Sequence, residues 1–573
     1  MSKQSLSRPP VYTHPVLEVG NGVCSTGHPL SAQAGVAIMK RGGNAFDALV
    51  GAAFTTFVME PESCGIGGYG HISAFVAKQR EFLSIDAYCR APGEAYASMF
   101  EIDESVPPTY YGHPLTKDRQ SDMGWLSIAV PGAVAGFCDT HALLGRLPLT
   151  TVLEPAIELA EAGVPVTFKH QIEIGKVLDD IKRFPDTARA LLSGGKLPKA
   201  QTQTGFCDHL DTGNLAKLLK RIAKRGKRAF HSGACAKKMA SYIRSHGGIL
   251  TASDLEGYRP RVMREQPASY RGYQYVSCFD QVCYEALNIL SRFDLKSRGA
   301  DSFAYRHLTA EALALAFADS MTHYGDPDFV ASPVNGLSHP GFAAERARLI
   351  RLSRVVSRPV RAGDPWQFDA LQESPERLSY PLTLARRAGT SQIAVADRNG
   401  NMASACVSIG SSYGSLIYVP ELGVFMNNAM QNFDPRPEHP SHIAPGKMPI
   451  FAAPALVATR AGQARFAGSG SGGYRIEPGV LQTFMNHVDH GMPIQRAVDH
   501  PRLHCQGQDT FVDDRIDPQV QHRLRRVGHT VTLLQEQPGA NGFGRISAVT
   551  RNPRSGALRA AGGPAWGTGV AGF

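Results

Sequence analysis

The amino-acid sequence predicts an α+β protein in which a helix-rich part precedes a strand-rich part, on three observations. Long helix-compatible apolar patterns dominate the first part of the chain, strand-and-turn signals crowd the last third, and the change falls near residue 390. Hydrophobic residues make up 43% and charged residues 19%, a globular rather than a disordered composition. The 573 residues are long for one core and would ordinarily divide into several domains. The 58 glycines gather in short apolar motifs instead of a linker, which suggests close backbone approach or tight turns.

Taken in order, Met1 to His14 carries a basic residue but no apolar h-region, so no secretory signal is expected. No apolar run reaches the roughly 18 residues that would span a bilayer, and a soluble, cytoplasmic protein is expected. Ser31 to Val58 is helix-compatible on both sides of Gly42-Gly43-Asn44, where the glycines would end one helix and Asn44 would cap the next. Thr151 to Ala162 and Ser302 to Tyr324 read as amphipathic helices. Arg354 to Arg387, rich in Arg, Pro and polar residues, reads as an irregular connection. Beyond it, Gln392 to Ala396 and Met402 to Ile409 flank a turn containing Asn399-Gly400, a strong hairpin signal. Ala453 to Thr459 and Gln463 to Ala467 suggest a second hairpin around Arg460-Ala461-Gly462, and Tyr474 to Phe484 a helix interrupted by Pro478 and Gly479.

Several function classes lose support. The ten cysteines include no CxxC pair and the 20 histidines no HExxH, so buried free thiols are expected and neither a metal nor another cofactor is. The formal charge of +10 concentrates in Lys217 to Arg228 and Arg346 to Arg361, which read as solvated helix faces. Interleaved aromatics or a known motif would be needed for nucleic acid, and neither is present.

Two segments carry chemistry. Gly389-Thr390-Ser391-Gln392 stands just before the first strand of the hairpin. A Thr hydroxyl is a poor nucleophile, but an α-amino group titrating at about 7.7–8.0 can serve as its base. That arrangement requires Thr390 to be N-terminal, hence the Gly389–Thr390 bond to be cut. Gly468 to Gly473, a run of Gly and Ser ahead of a helix-like stretch, can aim backbone N–H groups at a developing negative charge.

In this order the segments resemble the γ-glutamyltransferase family of N-terminal-nucleophile hydrolases. Gly42 to Ala48 looks like its GGNAxDA motif, Glu60 to Gly68 its EPxSSGIGG segment, Val130 to Gly136 its VPGxVAG and Gly325 to Val330 its GDPxFV. Gly400-Asn401 and Gly423 to Asn428 fit the hairpin and the NN turn of the small subunit. The resemblance implies a four-layer αββα sandwich built by two subunits from one precursor: a helix-rich heavy subunit, 1–389, and a strand-rich light subunit, 390–573. The two would pair as a heterodimer after self-cleavage, with a dimer of heterodimers as a further assembly open to them. It implies Thr390 as nucleophile, Ser408 in place of a Thr that hydrogen-bonds it, and the amides of Gly472 and Gly473 as oxyanion hole. Neither a membrane nor nucleic acid is an implied partner; the partner is a small-molecule amide, γ-glutamyl or related.

The substrate pocket departs from the family pattern. Tyr88 stands where the family places the Arg that holds the glutamyl carboxylate, with Arg90 two residues on. Asn432 replaces the Asp that pairs with the ammonium, Pro449 to Pro454 lacks the Ser-Ser pair, and Ser391-Gln392 replaces Thr-His. Tyr88, Arg90, Asn432 and Ser391 are therefore the candidate substrate-binding residues. Loss of charge-assisted, often bidentate contacts weakens the case for glutathione and opens that for an acylase or amidohydrolase of altered specificity, like the cephalosporin acylases and oxamate amidohydrolases. A non-processing structural homologue is the alternative of another class.

Overall fold

A computed structural model describes residues 17–106, 114–201, 205–370, 389–450, 453–536, 542–563 and 567–573. Two seven-stranded antiparallel sheets form its centre. Sheet I runs, edge to edge, Gly569–Gly572, Gly22–Thr26, Gly389–Asp397, Met402–Gly410, Tyr69–Val76, Glu81–Ala87 and Arg261–Glu265. Sheet II runs Leu17–Val19, Leu558–Gly562, Arg545–Arg551, Gln463–Ser471, Ala455–Arg460, Tyr273–Ser277 and Ala268–Tyr270. Each sheet takes strands from both sides of the Gly389–Thr390 bond, which lies inside the first residues of a central strand.

The sheets face each other across a small apolar seam. Phe75, Ala394, Ala396 and Met402 of sheet I meet Val276, Val457, Ala467 and Val549 of sheet II. The strand period of two sends alternate residues to the other face. Ile393, Val395, Ala405 and Val407 thus pack outward with Leu49, Phe54 and Val134 of the helices Ala45–Met59 and Ala133–Leu144. On the far side, Leu456, Phe466 and Ala548 pack with Leu287, Leu313 and Leu481 from the helices Gln281–Leu290, Phe303–His323 and Ile476–Val488.

The helix pair anticipated at Ser31 to Val58 is present as Pro29–Lys40 and Ala45–Met59. Gly42 takes φ +95°, and Asn44 caps the second helix in a reciprocal box with Asp47. The helix Leu149–Ala162 and both hairpins follow the sequence reading; Phe303–His323 is a helix as expected, but it is buried nearly all round rather than amphipathic. Three further readings need correction. The helix Ile476–Val488 is not interrupted: Pro478 sits in its first turn, where no intrahelical N–H is required. Arg346 to Arg361 is not a solvated helix face, because the helix ends at Ala347 and Arg346 is buried against Asp319 at 2.7 Å. The part before residue 389 is also less purely helical than expected, since it supplies the fully buried strand Tyr69–Val76. Lys217 to Arg225 does lie on a helix, Gly213–Arg225, whose Leu215, Leu218, Leu219 and Ile222 are buried. Of Arg354 to Arg387, residues 371–387 lie outside the described residues; 354–370 hold only the short turn Trp366–Phe368. All ten cysteines are free, nine of them buried. Among the described residues no helix is long and apolar enough to cross a membrane.

Candidate active site

Strand Gly389–Asp397 is buried throughout, and its alternation decides what each residue can do. Thr390 and Gln392 point toward sheet II, with Ala394 and Ala396, while Ser391 points toward the helices, with Ile393 and Val395. Ser408, the cross-strand partner of Thr390, places its Oγ 3.1 Å from the Thr390 Oγ1. The same hydroxyl donates to the Gly389 carbonyl at 2.6 Å and accepts the Gly410 N–H at 3.0 Å. Ser408 has one proton, and a carbonyl can only accept, so that proton goes to Gly389. Thr390 is therefore the donor to Ser408. Thr390, Ser408 and the Gly389 carbonyl form a directed chain.

The ladder to Gly22–Thr26 ends at Ile393, leaving the Thr390 carbonyl beyond it. Arg545, from sheet II, donates there from Nη2 at 3.1 Å. Its Nε donates to the Ser471 hydroxyl at 2.9 Å, and Ser471 and Arg545 are themselves cross-strand partners. Immediately after Ser471 come Gly472 (φ 133°) and Gly473 (φ 63°), both in the region that side chains rarely adopt, followed by the helix from Ile476. One guanidinium thus ties Thr390 to the strand end that carries the glycine pair.

Beside Ser408 stands a wall of hydroxyls and an amide. Tyr69, its neighbour on the adjoining strand, is hydrogen-bonded to Ser408, Tyr88 and Asn432, and burial pushes its phenol well above the usual range. Asn432 Nδ2 donates to the Tyr88 hydroxyl at 2.8 Å, and the Tyr69 and Tyr88 rings lie 4.3 Å apart. The Asn432 Oδ1 is buried without a partner. Tyr88 and Asn432, singled out from positions far apart in sequence, are brought together. Arg90 is placed elsewhere: it bonds Asp86 at 2.5 Å and the carbonyls of Tyr88 and Cys89 at 3.2 Å. Burial opposes ionisation of Asp86, yet Arg90 and His71 hold its carboxyl well below the usual carboxylate range.

Ser391 faces away from this wall and donates to Glu60 Oε2 at 2.6 Å. Glu60 also contacts Lys169 and lies 3.5 Å from Arg545. Lys169 reaches Glu62 at 2.6 Å, and Glu62 lies 3.3 Å from His170. Burial works against the Glu60 carboxylate, but Lys169 and then Arg545 outweigh it and hold the group below its ordinary range. Sequence reasoning assigned no role to Tyr69, Lys169 or Arg545. Only Glu60 carried a signal, as the first residue of a motif. Among the described residues His307, Glu311 and His529 also cluster, but Arg358 and the Val356 N–H take the Glu311 carboxylate, and the two rings bond each other at 2.7 Å.

Comparison with known proteins places this arrangement. The profile of the gamma-glutamyltranspeptidase family matches residues 31–573, nearly the whole chain. The chain belongs to the γ-glutamyltranspeptidase family. It is an N-terminal-nucleophile hydrolase by that membership. Acylase ACY 1 proenzyme from Pseudomonas sp. (strain SE83) is 35% identical over 540 residues, 93% of this chain and 90% of that protein. Glutathione hydrolase proenzyme from Bacillus subtilis (strain 168) is 30% identical over 520 residues, 90% of this chain and 86% of that protein. The crystal structure of cephalosporin acylase from Bacillus halodurans superposes with a TM-score of 0.84 at 27% identity, covering 100% of this chain and 99% of that one.

Proposed function

We propose that this member of the γ-glutamyltranspeptidase family is a self-maturing acylase, cutting its own Gly389–Thr390 bond and then hydrolysing small amides whose acyl group is not γ-glutamyl. The observation that carries the reading is the directed chain from Thr390 through Ser408 to the Gly389 carbonyl. In the uncut chain the Thr390 Oγ1 attacks the Gly389 carbonyl carbon. Its proton passes to Ser408 while the Ser408 proton passes to the carbonyl oxygen. Collapse breaks the C–N bond, the nitrogen takes a proton, and Gly389 is left esterified to Thr390. Water hydrolyses the ester, freeing a Gly389 carboxylate and an N-terminal Thr390.

The new amine then takes the Thr390 hydroxyl proton as the oxygen attacks a substrate carbonyl. The amides of Gly472 and Gly473 stabilise the oxyanion, the leaving amine departs with the proton, and water releases the acid. The acylase reading rests on the wall beside Ser408. Tyr69, Tyr88 and Asn432 offer neutral hydrogen bonds, and Arg90, two residues from the position that holds a γ-glutamyl carboxylate in the family, is committed to Asp86. The identity to an acylase proenzyme over 93% of the chain supports the same preference. The light subunit, 390–573, would keep the two sheets joined to the heavy subunit, 1–389, because each sheet draws strands from both.

Two measurements test the proposal. Intact mass under denaturing conditions should resolve two chains from the 61.8 kDa precursor, the smaller beginning at Thr390. Freshly matured protein should hydrolyse N-acetyl or N-phenylacetyl p-nitroanilide while leaving γ-glutamyl-p-nitroanilide and glutathione at least 100-fold slower. A single uncut, inactive chain would sink the whole reading; efficient glutathione turnover would sink the acylase half alone.

A further inference from the structure

The proposed reaction needs the Thr390 amine to be neutral when it takes the hydroxyl proton, yet an ordinary α-amino group is mostly protonated below its value of about 7.7–8.0. A charge bonded to the same residue bears on that equilibrium. Arg545 is bonded to the Thr390 carbonyl at 3.1 Å, and its side chain is 3% exposed. Amine nitrogen and carbonyl oxygen of one residue are separated by at most about 3.6 Å, so the guanidinium lies within about 7 Å of the new amine. It also reaches Ser471, the last residue before the Gly472–Gly473 pair, at 2.9 Å.

We infer that Arg545 is a positioning residue of this enzyme, which keeps the freed Thr390 amine in its neutral, proton-accepting form and fixes the nucleophile strand against the oxyanion loop. The inference rests on the proposed self-maturing mechanism. The other charged groups around Thr390 sit in networks of their own, of which only the Glu60–Glu62–Lys169 group, one carboxylate in excess, reaches Arg545. On the helix side Glu60 and Glu62 face Lys169, with His170 and His28 beside them. Burial lowers the His28 value, so that imidazole is neutral. At the strand end Asp122, which accepts from Ser411, is paired with Arg119, and Glu173, which accepts from Ser412, with Lys176. Toward sheet II stand Tyr69 and Tyr88, uncharged. Arg545 is the cation in direct contact with Thr390, and Glu60, 3.5 Å from it, is the anion that tempers it. A like charge nearby disfavours the protonated amine, and removing an anion does so further.

The test uses the matured enzyme and variants R545K, R545Q and E60Q. Each is treated with a sulfonyl fluoride, and addition to the light chain is followed by intact mass as a function of pH, so that no substrate need be known. The acid limb of the rate reports the amine. R545Q should move that limb up by about one pH unit, E60Q should move it down by about half a unit, and R545K should leave it within about 0.3 unit while slowing the reaction. A residue that only props the fold would slow addition without moving the limb. An R545Q limb at the wild-type position overturns the inference. Should R545Q stay uncut, E60Q decides: a downward limb supports the inference, and an unmoved or upward one overturns it. Wild-type protein that lacks a light chain starting at Thr390, or whose Thr390 never reacts, fails the proposed function itself rather than the role of Arg545.

Discussion

Ser408 has one proton and four polar neighbours, and the short bond to the Gly389 carbonyl fixes where that proton goes. With the proton given to Gly389 and the Gly410 N–H pointing in, its other lone pair is left to the Thr390 and Tyr69 hydroxyls. Ser408→Ala removes the relay and should slow appearance of the light chain by about 100-fold, the low end for loss of a proton-transfer group. Ser408→Thr keeps the hydroxyl and should stay within about tenfold; timed denaturing gels of newly made protein separate the two. Thr390→Ala should abolish cleavage and activity together, since one hydroxyl serves both reactions, and a variant that still matured would refute the nucleophile. Thr390 and Ser408 were legible through the family resemblance, and the hairpin with its Asn-Gly turn is what sets the two face to face. Arg545 was not, being 155 residues from Thr390 and joined to it only by the meeting of two sheets.

At the scale of the element, the segment Gly65-Ile66-Gly67-Gly68 shows what a glycine motif is for. A Cβ on Gly67 would stand 2.2 Å from the Phe425 carbonyl oxygen, and one on Gly68 2.2 Å from that of Ser408. Backbone cannot swing aside as a side chain can. Gly68→Ala must push strand Met402–Gly410, and with it Ser408, away from Thr390, at a cost of about 3 kcal/mol. The variant should lose thermal stability and accumulate as uncut precursor even though every catalytic side chain remains; normal maturation would show that the strand can yield. The motif was visible in the sequence, but its reason is a contact with strands some 340 residues further on, as the Gly67–Met426 bridge and the Gly68–Ser408 approach make plain. Strand Tyr69–Val76 that follows went unmarked for a related cause. It is buried on both faces, so it lacks the alternation that betrays a half-exposed strand.

For the molecule as a whole, interleaving means that neither part of the chain has a sheet of its own, so acid stability is a property of the assembled sandwich. Its weakest point in acid is histidine rather than carboxylate. Burial lowers His504 and His529 to about 3 and His231 to about 4, with Arg475 adding to the effect at His504 and His307 at His529. In the unfolded chain all three return to about 6.5. A folded value below the unfolded one means the contribution to stability is whole above pH 6.5 and is lost as pH falls toward 4 and then 3, because the unfolded chain binds the proton first. Glu60 and Glu62, held low chiefly by Lys169 against the pull of burial, follow the same rule from a lower start, near the ordinary glutamate value of about 4.3. By pH 5, before Glu60 or Glu62 titrates, each histidine should therefore withdraw on the order of 1–2 kcal/mol and pull the melting temperature down, against the buried Glu285, Glu477 and Glu536, whose raised values work the other way. His504 decides the matter, because its ring is fully buried and Arg475 adds to the effect of burial on it. His504→Leu should flatten the slope between pH 6.5 and 5 while leaving the collapse below pH 4 in place. Melting curves across pH 4–8 check this: equal slopes for His504→Leu and the wild type down to pH 5 would mean that the buried imidazole reaches water before the fold opens.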